Sequence, residues 1–188
     1  MVRLLLLTAI ILAGIRTARA AVLDGVVLPD TRVVDGTHLR LNGIGLRTYS
    51  IVGIHIYVAG LYLHRPSNNP ERILHSPEPK VLDIRFVRDV DAERVRKAWR
   101  DGFANNCRPP ECILDPQDIE RFLAEVPPIH QGDQTTMVFT SRGVSVTFNG
   151  RMLGDIADSH FAKTLLATFI GPVPPTPQLK RALLGAGG

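Results

Sequence analysis

The sequence predicts an α+β domain in which an antiparallel sheet carries a layer of helices on one face. Three observations lead there. Short runs of β-branched and aromatic residues, bounded by turn signals, gather toward both ends of the chain, with amphipathic helical patterns between and after them. Strands and helices never alternate as βαβ units, which argues against a doubly wound parallel sheet. Hydrophobic residues make up 45% of the 188 positions and charged residues 21%, which excludes disorder, collagen-like repeats and disulfide-dense scaffolds. Neither an internal repeat nor an inter-domain linker is visible.

Taken in order, Val22 to Leu28 reads as a short strand. Thr37 to Thr48 alternates apolar and polar residues, and Gly43 and Gly45 predict a bent or bulged strand there. Ile54 to Leu63 is apolar almost without interruption, as expected of a strand covered on both faces. Pro66-Ser67-Asn68-Asn69-Pro70 is a loop signal, and Val81 to Val87 alternates as a further strand. Asp91 is placed to cap a helix in which Val95, Ala98, Trp99, Gly102 and Phe103 share one face, ending near Asn105-Asn106-Cys107. Asp115, with Pro116 behind it, starts a second helix with Ile119, Phe122, Leu123 and Val126 inward, stopped by Pro127-Pro128. A meander follows: Thr135 to Thr140, a turn at Ser141-Arg142-Gly143, Val144 to Phe148, an Asn149-Gly150 type I′ hairpin, and Arg151 to Ile156. Asp158 caps a third helix with Phe161, Leu165, Leu166 and Phe169 inward and Gly171 at its exit. After a stiff Pro172 to Pro175 connector, Thr176-Pro177 starts a last helix running through Leu184.

The first twenty residues read as an address. Arg3 precedes an apolar run from Leu4 to Ile15, and Ala18-Arg19-Ala20 closes it as an A-x-A exit. The run is too short to span a membrane, for which about twenty apolar residues are needed. It reads as a secretory signal peptide cut after Ala20, which predicts a periplasmic or secreted domain over residues 21–188. Nothing later in the chain is long and apolar enough to span a membrane. The segment also holds Arg3, Arg16 and Arg19 and no acid, so the formal charge of +4 falls to +1, 19 basic residues against 18 acidic. No basic cluster remains to hold a nucleic acid. Arg94, Arg96, Lys97 and Arg100 lie close together, but beside Asp91, Glu93 and Asp101, as on a solvated helix face.

Cys107 and Cys112 enclose Arg108-Pro109-Pro110-Glu111, which in an exported chain predicts a local disulfide. Pro109 and Pro110 already restrict the loop, so closing it adds at most about 2–3 kcal/mol. Zinc needs further ligands at suitable spacing, and His38, His55, His64, His75, His130 and His160 form no such cluster in the sequence. The C-x-x-C of a redox catalyst is absent. No metal and no cofactor is expected. The general catalytic signatures, G-x-S-x-G, the P-loop, H-E-x-x-H and a helix-opening G-x-G-x-x-G, are missing as well. What remains is Arg47, behind a glycine-bent strand, and Tyr57, in an apolar one. A guanidinium fork and a phenol can hold a carboxylate at the end of an apolar cavity. An exposed arginine beside a core tyrosine accounts for the same residues.

Two stretches, Leu41-Asn42-Gly43-Ile44-Gly45-Leu46-Arg47 and Ile56-Tyr57-Val58-Ala59-Gly60-Leu61-Tyr62-Leu63, resemble the chalcone isomerase superfamily. The likeness is strongest to its bacterial isomerase-like members and its plastid fatty-acid-binding branch. It continues through Phe86-Val87-Arg88-Asp89-Val90, the Trp99 helix and Asn106-Cys107, then Phe148-Asn149-Gly150, Asp158 to Gly171 and Leu183-Leu184-Gly185. The resemblance implies an open-faced β-sandwich: a large antiparallel sheet, a helix layer and a cleft between them. In the isomerases an arginine at the position of Arg47 stabilises the charge that develops as a phenolate closes on an enone. In the fatty-acid-binding members the arginine pairs with a tyrosine at the position of Tyr57 around a carboxylate. Asn106 matches the family asparagine and Thr168 the threonine before its M-I-G, here Phe169-Ile170-Gly171. The isomerases' catalytic tyrosine falls on Trp99, whose indole accepts no hydrogen bond, and the spacing from Arg47 to the next motif is two residues shorter. Three expectations follow. The first is a non-catalytic protein binding a fatty acid or similar amphiphile through Arg47, Tyr57, Trp99, Asn106 and Thr168. The second is a chalcone–flavanone type isomerase, an intramolecular lyase using Arg47, Asn106 and Thr168. The third is an interaction module without a ligand.

Overall fold

The structure is a computed structural model, and it describes residues 20–49 and 52–186. The signal peptide expected over residues 1–20 lies outside the described residues, save Ala20.

The chain opens as two hairpins, the first of which replaces the single strand expected over Val22 to Leu28. β1 (Ala20–Leu23) turns into β2 (Val26–Pro29) through Asp24 and Gly25, at φ 50° and 75°. β3 (Thr31–Val34) turns into β4 (Thr37–Tyr49) through Asp35 and Gly36, at φ 47° and 76°. Asp-Gly with both residues left-handed is the type I′ hairpin pair, whose twist matches the strands it joins. Asp24-Gly25 thus divides the expected strand into two.

β5 (Ile54–Leu63), β6 (Lys80–Phe86), β7 (Gln134–Thr140), β8 (Gly143–Phe148) and β9 (Arg151–Ile156) complete the strands. β3 through β9 form one seven-stranded sheet in chain order, every neighbour antiparallel, while β1 and β2 pair apart from it. The expected type I′ turn is present at Asn149 and Gly150, at φ 49° and 78°. The expected irregularity of β4 is present too, as a register shift between Leu41 and Gly43.

The helices are α1 (Pro70–His75), α2 (Ala92–Asn106), α3 (Pro116–Ala124), α4 (Ser159–Ile170) and α5 (Pro177–Leu183). The side chains of Asp91, Asp115, Asp158 and Thr176 accept hydrogen bonds from first-turn amides, as the sequence predicts for N-caps. α1 falls partly on the expected loop, because Asn69 caps it and Pro70 supplies a preset φ in its first turn. On α2, Ala98 is exposed, whereas Val95, Trp99 and Phe103 reach the core.

All five helices lie over one face of the sheet. The main core joins Ala59, Leu61 and Leu63 of β5 and Leu82 and Ile84 of β6 to Phe103, Phe122, Phe161, Leu165 and Leu179 of the helices. The opposite face holds a smaller core of Leu39, Tyr62 and Val81. Leu28 of the first hairpin packs there against Gly60, where a Cβ would stand 2.6 Å from the Leu28 methyl. β5 is therefore covered on both faces, as its apolar run predicts.

Candidate functional site

Gly43 and Gly45 decide how closely the helix layer meets β4. A Cβ on Gly43 would lie 2.0 Å from the Ala182 carbonyl oxygen, and one on Gly45 2.9 Å from the Ala182 Cβ. The bare strand thus seats α5 directly on the sheet. Arg47 follows two residues later on the same face. It is the cross-strand partner of Tyr57, and Tyr57 is in turn the partner of Phe86 on β6. Residues opposed on antiparallel strands project to one face, so all three look toward the helices. A register shift falls between Arg47 and Thr48, leaving Ile56 as the extra residue on β5. Such bulges re-aim the side chains beside them.

The Arg47 guanidinium turns back and donates through Nη1 to the Thr48 carbonyl. The Tyr57 ring meets Phe86 edge-on at 5.7 Å and packs against the main core. Burial pushes the Tyr57 phenol well above its ordinary value, and the Arg47 guanidinium pulls it partly back. Among the described residues no hydrogen bond reaches the Tyr57 hydroxyl. A neutral phenol donor and a guanidinium therefore stand side by side at one end of the β4–β5 ladder.

The other three expected site residues gather on α2 and α4. Trp99 lies within an aromatic group, 5.2 Å from Phe122, 5.6 Å from Phe169 and 6.2 Å from Phe103 between ring centres. Asn106 donates to the carbonyls of Gly102 and Val173, each at 2.9 Å, and accepts from the Val173 amide at 3.1 Å. Its amide thus fastens the end of α2 to the chain beyond α4. Thr168 is buried, donates to the Leu165 carbonyl at 2.7 Å, and packs its methyl 3.3 Å from where Gly102 would carry a Cβ. Tyr57 and Trp99 border the same core. The polar groups of Asn106 and Thr168 are already spent on the backbone.

Two features escape sequence reasoning. On the second face, Asp83 is fully buried and accepts from Arg32, through both Nε and Nη2, and from Thr136. Arg85 and Tyr62 adjoin this group, each with a buried polar atom lacking a partner among the described residues. A charged residue inside the apolar run Val81-Leu82-Asp83-Ile84 is the signal that marks it. The second feature is His160, whose Nε2 lies 3.3 Å from the Cys112 sulfur. The expected Cys107–Cys112 disulfide is present, with Cα atoms 4.9 Å apart. Forty-eight positions separate Cys112 from His160, so spacing alone could not bring them together.

Two clefts, of about 190 and 230 Å³, open at the other end of β5 and β6, and Ser76, Pro77 and Lys80 line both. None of the five expected site residues borders either. Of the basic group expected on a solvated helix face, Arg94, Lys97 and Arg100 are exposed, Arg94 pairing with Asp91 and Lys97 with Asp101. Arg96 departs from it, pairing with Glu93 but also donating to the Leu123 and Val126 carbonyls, which ties α2 to the end of α3. Among the described residues no helix is long and apolar enough to cross a membrane.

A seven-stranded antiparallel meander, a one-sided helix layer and an N-G-I-G strand seated under the last helix define the fold to be compared. The family model described as chalcone isomerase-like matches residues 20–185. The chain belongs to the chalcone isomerase-like family. A crystal structure of a fatty-acid binding protein of Arabidopsis thaliana superposes with a TM-score of 0.73 at 17% identity, covering 89% of this chain and 96% of that one. At that identity the likeness carries the fold alone. No curated protein matches the chain by sequence. The open-faced sandwich implied by the sequence resemblance is therefore the architecture observed.

Proposed function

We propose that this chalcone isomerase-like protein is a non-catalytic binder of a fatty acid or similar amphiphilic carboxylate, acting outside the cytoplasm. One observation carries the reading. Arg47 and Tyr57 are register partners on the helix-facing side of the sheet, and their donors are not consumed by other side chains among the described residues. A guanidinium and a neutral phenol together offer a carboxylate both charge and a directed hydrogen bond. The apolar residues bordering Tyr57 suit the start of an acyl tail, and Trp99 lines the same core from the helix side. The fatty-acid binding neighbour in Arabidopsis supports the ligand class. The signal-like N-terminus supports the location.

Isomerisation has less support. Asn106 and Thr168 would have to give up backbone hydrogen bonds to orient a substrate, and Trp99 supplies no phenol. A ligand-free interaction module is favoured by one observation, that the two clefts described above lie away from Arg47.

Lipid extraction and mass spectrometry of the purified protein separate these readings. Wild type is expected to carry a fatty acid or related amphiphile at near-stoichiometric level, and Arg47→Ala to lose most of it. Absence of any bound amphiphile from both proteins overturns the binding role and leaves the module. Loss of chalcone absorbance faster than in buffer alone would restore the isomerase.

A further inference from the structure

The disulfide lies against the first turn and a half of α4, and that contact is a built arrangement of potential ligands. His160 and Thr164 stand one helical turn apart on one face of α4. Both look toward Cys112: His160 Nε2 is 3.3 Å from its sulfur and Thr164 Oγ1 is 3.8 Å. The donor atoms of Cys107, Cys112 and His160 all lie within 4.8 Å of one another, and all three residues are half-buried. Asp158 fixes this turn by accepting from the amides of His160 and Phe161, so the histidine backbone is held before any ligand arrives.

We propose that the reduced form of this chain binds a zinc-class divalent metal through Cys107 Sγ, Cys112 Sγ and His160 Nε2, with water in the fourth position. The disulfide and the metal site are alternative states of one sulfur pair. A dithiol reductant breaks the S–S bond with two electrons and two protons and is itself oxidised to a disulfide; a phosphine does the same with one water and ends as the phosphine oxide. The metal then displaces both thiol protons to solvent, and neutral His160 donates its Nε2 lone pair. Two thiolates balance the charge of the dication.

The geometry needs little rearrangement. Bond lengths of about 2.3 Å to sulfur and 2.0–2.1 Å to nitrogen put tetrahedral ligands roughly 3.6 Å apart for S and N and 3.8 Å for the two sulfurs. The separation of Cys112 Sγ from His160 Nε2, 3.3 Å, is already close to that, and Cys107 Sγ lies within 4.8 Å of the same nitrogen. Opening the sulfur pair requires only side-chain rotation from Cα atoms 4.9 Å apart.

Cobalt is the probe. Protein reduced with a phosphine and held without oxygen is titrated with Co²⁺. A 1:1 complex with thiolate-to-cobalt charge-transfer absorption and intense d–d bands of a four-coordinate site is expected. The oxidised protein should show neither. His160→Ala should weaken binding at least tenfold in the reduced state. A parallel assay reads the same site without cobalt: Zn²⁺ should slow alkylation of both cysteines in wild type and much less in His160→Ala. Equal cobalt affinity or equal protection in the two proteins overturns the proposal, as does reduced wild type giving no charge-transfer band.

Discussion

Tyr62 is fully buried beneath the Arg32 guanidinium, 5.3 Å from ring centre to cation, and its hydroxyl has no partner among the described residues. An unmade buried hydrogen bond costs about 1–3 kcal/mol, more than a formed one contributes. Tyr62→Phe keeps the ring and the cation contact and removes the orphan. Its stability by urea denaturation should equal that of wild type or exceed it by about 1 kcal/mol. A loss of more than about 1 kcal/mol would show that the hydroxyl is bonded after all. The same scale shows what a residue type does and does not disclose. Arg47 and Tyr57 stand out in the sequence because each has chemistry that its segment does not need. Asn106 and Thr168 stand out equally, yet their hydrogen bonds go to the backbone. A residue's type sets what it can donate, but its neighbours across the fold decide where the donor is spent.

The β4–α5 contact shows how a strand reports on a helix far along the chain, Gly43 and Gly45 meeting Ala182. Glycines 43 and 45 predict a bent strand, and the bend is there, but their greater consequence is the approach of α5. Gly43→Ala would drive a Cβ into the Ala182 and Leu183 carbonyls, at 2.0 and 2.8 Å. A backbone clash of that size should cost more than about 2 kcal/mol, toward the upper end of overpacking effects. Gly154 on β9 faces open space, so Gly154→Ala should stay within about 0.5 kcal/mol of wild type. Equal denaturation midpoints for the two variants would contradict the seating of α5. Gly171 teaches the same lesson. It stands at the expected helix exit, but at φ −76° it uses no glycine-only conformation. It is small because a Cβ would meet the Ala167 carbonyl at 2.4 Å and the Asn106 oxygen at 2.9 Å. The Asp-Gly hairpins at 24–25 and 35–36 carried a readable turn signal. It was masked by the apolar residues on either side, which suit one long strand as well as two short ones.

At the scale of the whole molecule, half-buried Tyr57 and fully buried Tyr62 link stability to alkaline pH. Burial raises Tyr57 and Tyr62 above the ordinary phenol value of about 10. The folded chain therefore holds protons that the unfolded chain releases. The resulting stability is complete below about pH 10 and declines as pH rises above it. Phenolate absorbance of the folded protein should lag behind that of the chain in denaturant, then rise together with loss of the far-ultraviolet signal. Titration of all three tyrosines as free phenols, with the fold intact, would contradict the burial of both. Local chemistry by itself determined the α+β class, the caps at Asp91, Asp115, Asp158 and Thr176, the Asn149-Gly150 turn and the Cys107–Cys112 bridge. Each depends on residues within a few positions of one another, where propensity and chain geometry act directly. Only the tertiary structure decided that Arg47 meets Tyr57 on the face covered by helices, that Asp83 is buried against Arg32 and Thr136, and that His160 closes on the cysteine pair. Arg47 and Tyr57 are brought face to face by strand register, while the Arg32–Asp83 and Cys112–His160 contacts join residues 51 and 48 positions apart; register and packing between elements select them.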